Sequence, residues 1–188
     1  MRISGGAGRG IPLLVPKGGA VRPATDGLRQ AVFSSLGAQV VGATFWDLFA
    51  GSGAYGLEAL SRGATGGVFV EHNARAVAVI QRNLAAVSRS LGRDALPVAV
   101  VSADALAWIS AADGHAADLV FIDPPYELIA KTAPGLFERL ARALAAKPQA
   151  LVFFEMPGEI TLTPPGWQCV KRLGKGRHQP TVAVFRRG

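Results

Sequence analysis

Stretches of strand periodicity and helical periodicity alternate along this chain of 188 residues, and that alternation limits its fold more than any other feature. Strands separated by helices must cross over and lie parallel, so the pattern predicts an α/β chain with a parallel sheet covered by helices. Strands are expected at 43–48, 67–71, 97–102, 118–122 and 150–155, with helices at 54–62, 105–111 and 132–146. A longer helix should begin after Asn73 as its N-cap, carry Val77, Ile80, Leu84, Val87 and Leu91 at helical spacing, and stop at Gly92. The run Leu119-Val120-Phe121-Ile122 is wholly apolar, as a central parallel strand buried on both faces should be. No helix separates 167–173 from 181–186, so these two should pair as an antiparallel hairpin at one edge, making seven strands in all.

Residues 1–42 read differently. Short apolar runs at 2–4 and 11–15 flank a glycine-rich link and predict a β-hairpin. Beyond Pro23, Thr25 caps a helix with Leu28, Val32 and Leu36 on one face, closed by Gly37. The expected organisation is an N-terminal extension over 1–42 and one domain over 43–188. Hydrophobic residues form 49% of the chain and charged residues 18%, which favours a packed core over disorder. No run suits a signal peptide or a membrane span, so the expectation is a soluble, cytoplasmic protein. Cys169 is the only cysteine, expected buried and inert, and His72, His115 and His178 are too scattered to suggest a metal site. Nothing in the sequence calls for a dimer.

The net charge of +7 is carried by the two ends. Residues 1–29 hold five basic side chains against one acid, and 166–188 hold six with none, so the middle is net acidic. Basic ends suit a polyanion, because lysine and arginine displace counterions from phosphate; a solubilising surface is the other reading.

Between the first core strand and its helix lies Asp47-Leu48-Phe49-Ala50-Gly51-Ser52-Gly53, continued by Ala54-Tyr55-Gly56. Gly51 to Gly56 matches G-x-G-x-x-G, and Glu71 stands at the end of the second strand, where an acid accepts ribose hydroxyls. NAD and S-adenosylmethionine both satisfy that pattern. Asp47 tilts the choice to the second, since its carboxylate would meet an ammonium group but repel a pyrophosphate. Asp104, after the third strand, is placed to accept from adenine N6 while the Ala105 amide serves the ring; the alternative for Asp104 is a helix cap alone. Phe49, Ala50, Gly51, Ser52, Gly53 and His72 complete the candidate cofactor contacts.

Asp123-Pro124-Pro125-Tyr126 follows the fourth strand directly, where ligands bind in such sheets. The prolines fix the backbone and remove two amide donors, leaving the Pro124 carbonyl as an acceptor. That carbonyl and the Asp123 carboxylate would take both hydrogens of an exocyclic amine, rehybridise its conjugated nitrogen and aim the lone pair at a sulfonium methyl. Tyr126 offers a face to an unstacked base. The plain alternative is a rigid turn.

With both motifs in place, the chain resembles the bacterial small-subunit ribosomal RNA guanine-N2 methyltransferases, which act on guanine 966 of 16S RNA, within the class I S-adenosylmethionine-dependent superfamily with its Rossmann-like seven-stranded sheet. The resemblance rests on Arg2-Ile3, Arg9-Gly10, Val21-Arg22-Pro23-Ala24-Thr25-Asp26, the run 47–64 and Asp123 to Tyr126. It implies methyl transfer to guanine N2, S-adenosyl-L-methionine as cofactor, ribosomal RNA as partner, and an N-terminal extension engaging RNA through Arg2, Arg9, Arg22, Thr25 and Arg29. Val21, Gly27, Ile11 and the segment 174–181 depart from the family pattern at proposed RNA contacts, not cofactor contacts. Adenine-N6 methylation is the nearest alternative; an NAD-dependent oxidoreductase and a non-catalytic RNA-binding module are alternatives of other classes.

Overall fold

Apolar strands from distant parts of the chain assemble into one sheet in the computed structural model, which describes residues 1–16, 25–92, 96–112, 116–174 and 176–188. The elements are α1 (Thr25–Leu36), β1 (Thr44–Leu48), α2 (Ala54–Ser61), β2 (Gly66–Glu71), α3 (Ala74–Ser90), β3 (Val98–Ser102), α4 (Ala105–Ala111), β4 (Leu119–Ile122), α5 (Ile129–Ala143), β5 (Leu151–Pro157), β6 (Trp167–Gly174) and β7 (Pro180–Arg187). They form a seven-stranded sheet in the order β3-β2-β1-β4-β5-β7-β6. The first five strands are parallel, while β7 runs antiparallel to both β5 and β6. The strand order reverses between β1 and β4, which opens a crevice at their carboxyl ends.

Two apolar layers cover the sheet. Phe45, Phe69, Phe121 and Phe153 point to one face with Leu57, Ile80, Val32 and Phe33, whereas Trp46, Val120, Phe154 and Phe185 point to the other with Ile109, Phe137 and Leu140. The period-two alternation of side chains along each strand produces this division. Ile3 and Leu13 are buried in the first layer, so the N-terminal segment shares its core with the sheet. Among the described residues, no helix is long and apolar enough to cross a membrane.

Several local expectations shift. The N-terminal hairpin shrinks to a single antiparallel bridge, Arg2 to Pro12, flanked by Ile3 N–H to the Ile11 carbonyl at 2.9 Å. Its glycine-rich loop docks on α2 instead of extending a ladder: the Gly8 amide donates to Ser61 Oγ and the Ala7 amide to the Ser61 carbonyl. Helix α5 starts at Ile129, three residues before the expected point, because Ile129 and Ala133 lie on the same buried stripe as Leu136, Phe137 and Leu140; Pro134 is accommodated inside it. Cys169 is exposed, not buried, since β6 is the sheet's edge strand.

Candidate active site

The crevice at the switch between β1 and β4 is built by two short loops. The first, after β1, needs unusual backbone at three of five positions: Phe49, Gly51 and Gly53 have φ of 58°, 55° and 78°. Phe49 pays a steric cost there that glycine does not, and such strain persists only where its surroundings enforce it. Gly53 precedes α2 in the left-handed conformation, and Gly56 lets that helix pack directly on the sheet, since an added Cβ there would lie 2.4 Å from Phe69 and 2.5 Å from Phe45. Glu71, at the end of β2, fastens the loop: one carboxylate oxygen accepts from the Gly51 amide at 3.0 Å, the other from the Asn73 amide at 2.8 Å. His72 Nδ1 lies 3.1 Å from the same carboxylate, with its ring largely exposed.

Asp47 projects from β1 into the crevice, buried, and accepts from the Gly56 amide at 2.9 Å. Burial pushes its carboxyl well above the ordinary range, and the nearby Asp123 and Glu71 charges add to the rise against the Gly56 hydrogen bond. A carboxyl held this way gains most from a cationic ligand group.

The second loop starts at Asp123, which stands level with Glu155 of β5 in the continued parallel register, Ile122 pairing with Phe154. Asp123 is half-buried, Pro124 buried, and Tyr126 half-buried against the Trp46 layer. A cavity of ≈ 90 Å³ is lined by Asp47, Phe49, Ala50, Gly51, Ser52 and Asp123, so it gathers both expected motifs. Its other walls are Met1, Arg29, Ala54, Tyr55 and Glu155.

Among these walls, Tyr55 and Glu155 form a pair that the sequence analysis did not predict. The Tyr55 hydroxyl donates to Glu155 Oε2 at 2.8 Å, and its ring stacks on Phe121 with centroids 5.3 Å apart. Burial, then the Glu155 and Asp123 charges, raise the Tyr55 hydroxyl well above its usual range, so it remains a donor. The available signal was a lone acid inside the apolar run of β5 and a tyrosine inside the glycine fingerprint.

Asp104, Ala105, Arg2 and Arg9 do not line the cavity, whereas Arg29 does. Asp104 is exposed at the end of β3 and caps α4 through the Ala107 amide at 2.9 Å, which leaves its second oxygen for a ligand; Ala105 is buried just behind it. Arg2 and Arg9 are exposed. Arg9 sits with the loop on Ser61, about 10 Å down α2 from the cavity wall at Ala54. Arg22 and the side chain of Thr25 lie outside the described residues. Arg29 is corrected: at 1% exposure it cannot hold RNA phosphate. Its guanidinium donates to Glu58 at 3.3 Å, Asp26 at 3.0 Å and the Arg2 carbonyl at 2.6 Å, because the phase of α1 puts it beside Val32 and Phe33.

The geometry is that of a small cavity where the glycine loop meets Asp47 and Asp123. Residues 1–184 match the family described as "Conserved hypothetical protein 95". Ribosomal RNA small subunit methyltransferase D of Escherichia coli strain K12 is 34% identical over 173 residues, 89% of this chain and 81% of that protein. Among solved structures, Escherichia coli yhhF is 33% identical with a TM-score of 0.77, covering 100% of this chain and 97% of its own. SMU.776, determined in complex with SAH, shares the fold at 16% identity, with a TM-score of 0.68 over 88% of this chain and 50% of its own. The chain therefore belongs to the Conserved hypothetical protein 95 family, alongside the ribosomal RNA small subunit methyltransferase D proteins.

Proposed function

We propose that this protein methylates the exocyclic N2 amine of a guanine in small-subunit ribosomal RNA, with S-adenosylmethionine as donor. The observation that carries the reading is one cavity lined by Asp123, Asp47 and the glycine loop, in a family whose relatives are named ribosomal RNA methyltransferases. When bound, S-adenosylmethionine supplies an electrophilic sulfonium methyl. The residues present suit it. Asp47 gives its ammonium group a buried counter-charge, Gly51 in the 49–53 loop lets the backbone come close to it, and Glu71 keeps spare lone pairs for ribose hydroxyls. Asp104 and Ala105 serve the adenine, with His72 at the ribose side.

Asp123 and the Pro124 carbonyl accept the two amine hydrogens, Pro125 holds the turn, and Tyr126 supports the base. A guanine within a duplex would first have to leave its stack. Arg2, Arg9 and Arg22, with Thr25, contact RNA. The substrate is ribosomal RNA of the assembled or assembling small subunit, met by a cytoplasmic monomer.

The test uses small-subunit ribosomal RNA and particles from a strain lacking the gene, with labelled donor and mapping of the modified atom. Label at guanine N2 supports the reading; label at adenine N6, or none, overturns it. Asp123→Ala should bind S-adenosylmethionine as the parent does by calorimetry while turnover falls roughly ten- to hundredfold, the scale of one lost hydrogen bond to a charged acceptor. Unchanged turnover removes Asp123 from the reaction.

A further inference from the structure

The carboxyl edge of the sheet carries a second feature that the cofactor and amine sites do not use. Strand β6 runs parallel to β5 and β7 antiparallel to both, so the 174–179 turn joining them emerges at the same edge as Asp123 and Glu155. Pro180 pairs with Pro157, two residues beyond Glu155 on β5. By strand geometry the foot of the turn stands about 7 Å above Glu155 and one strand across.

The described residues of this turn are held by their neighbours. Gly174, Gly176 and His178 have φ of 155°, 124° and 58°, the last a strained value for a residue with a side chain. The segment after β5 pins it: the Gly158 amide donates to the Gln179 carbonyl at 2.9 Å, and the His178 amide to Glu159 Oε2 at 3.0 Å. Arg172 ties the same segment to β6 by donating to the Gly158 and Ile160 carbonyls at 3.1 and 3.0 Å. Glu159, on the segment after β5, is thus turned onto His178. Arg177 is left exposed at the tip, and among the described residues it forms no ion pair. Residues 166–188 contain no acid to oppose it.

We propose that residues 176–179 form an RNA-docking element whose Arg177 contacts phosphate on the strand flanking the target base. The proposal rests on the RNA methyltransferase reading of the same site. Charge complementarity selects RNA as the occupant: an exposed arginine on a hydrogen-bonded turn at the rim of the site meets a polyanion that must cross that rim to deliver a base.

The experiment measures the affinity of the full chain for small-subunit ribosomal RNA from a strain lacking the gene, over a series of salt concentrations. Arg177→Ala should weaken binding roughly tenfold and reduce the slope of log affinity against log salt by about 0.7–0.9. Arg177→Lys should keep the slope. Arg89→Ala, an equal loss of charge in the last turn of α3 at the far edge, should change neither. S-adenosylmethionine affinity should be the same in all four proteins. If Arg177→Ala binds RNA with the parent's affinity and slope, or Arg89→Ala loses as much, the proposal is overturned while methylation by the parent still stands. Absence of methylation by the parent overturns the reading of function instead, and the binding series still decides the role of the turn.

Discussion

Arg29 is accommodated at 1% exposure because Glu58, Asp26 and the Arg2 carbonyl accept from it, and Glu58 is itself buried and shared with Arg62. Removing one partner of a buried ion pair leaves the other uncompensated, at a typical cost of about 3–5 kcal/mol. Arg29→Met should therefore lower unfolding stability by about 3 kcal/mol in urea titration, somewhat relieved by Arg62. A loss under ~0.5 kcal/mol, usual for surface positions, would contradict its structural role. Asp47 gives a second residue-scale expectation. Its folded-state pKa is raised, so the native state holds this proton more tightly than the unfolded chain does. The associated stability is complete below the ordinary value near 3.8 and is lost as pH rises through the raised value. Asp47→Asn should flatten this part of the urea-midpoint profile measured from pH 4 upward and abolish S-adenosylmethionine binding. A parallel profile in the variant would mean another group sets the slope. Neither environment is legible locally: one-dimensional periodicity marks Leu28, Val32 and Leu36, but not whether an arginine beside them finds an acid 29 residues away.

Among the elements, α2 and α3 show how single positions set packing and boundaries. Asn73 caps α3 by accepting from the Arg75 and Ala76 amides, as its place before the apolar repeat predicts. Asn73→Ala should cost about 1 kcal/mol, a fall of about 2–4 °C in melting temperature for a chain of this size. Gly56 lies within α2, where alanine would ordinarily gain up to ~1 kcal/mol in helix propensity. Its Cβ would nevertheless strike the Phe69 and Phe45 rings, and overpacking of a filled core costs about 1–3 kcal/mol. Gly56→Ala should lower the melting temperature; a rise would show that the rings yield freely. Strand and helix identities were readable because periods of 2.0 and 3.6 are local properties. The N-terminal hairpin was not, because the loop's amides and hydroxyl partners on Ser61 are over fifty residues distant.

Across the whole molecule, the N-terminal segment and the sheet share one core. Ile3 and Leu13 are buried in it, and Asn83 bonds Leu14 in both directions, accepting from its amide at 2.9 Å and donating to its carbonyl at 3.0 Å. Each buried aliphatic side chain is worth about 1.5–3 kcal/mol. Deleting residues 1–14 should thus remove several kcal/mol and lower the melting temperature by 10 °C or more, about 2–4 °C for each kcal/mol; an unaltered melt would show the segment to be a detachable arm. The sequence by itself determined the alternation of strands and helices, the terminal hairpin, the glycine turn and Asp123 to Tyr126, because each is written in neighbouring residues through side-chain period, backbone conformation or ring constraint. Only the tertiary structure decided that Tyr55 meets Glu155 one hundred residues on, that Arg29 faces inward, and that residues 176–179 stand at the carboxyl edge of the sheet beside Glu155. Those relations depend on strand order and on the burial of charge, which are fixed when distant segments compete for one interior and leave no trace in local spacing.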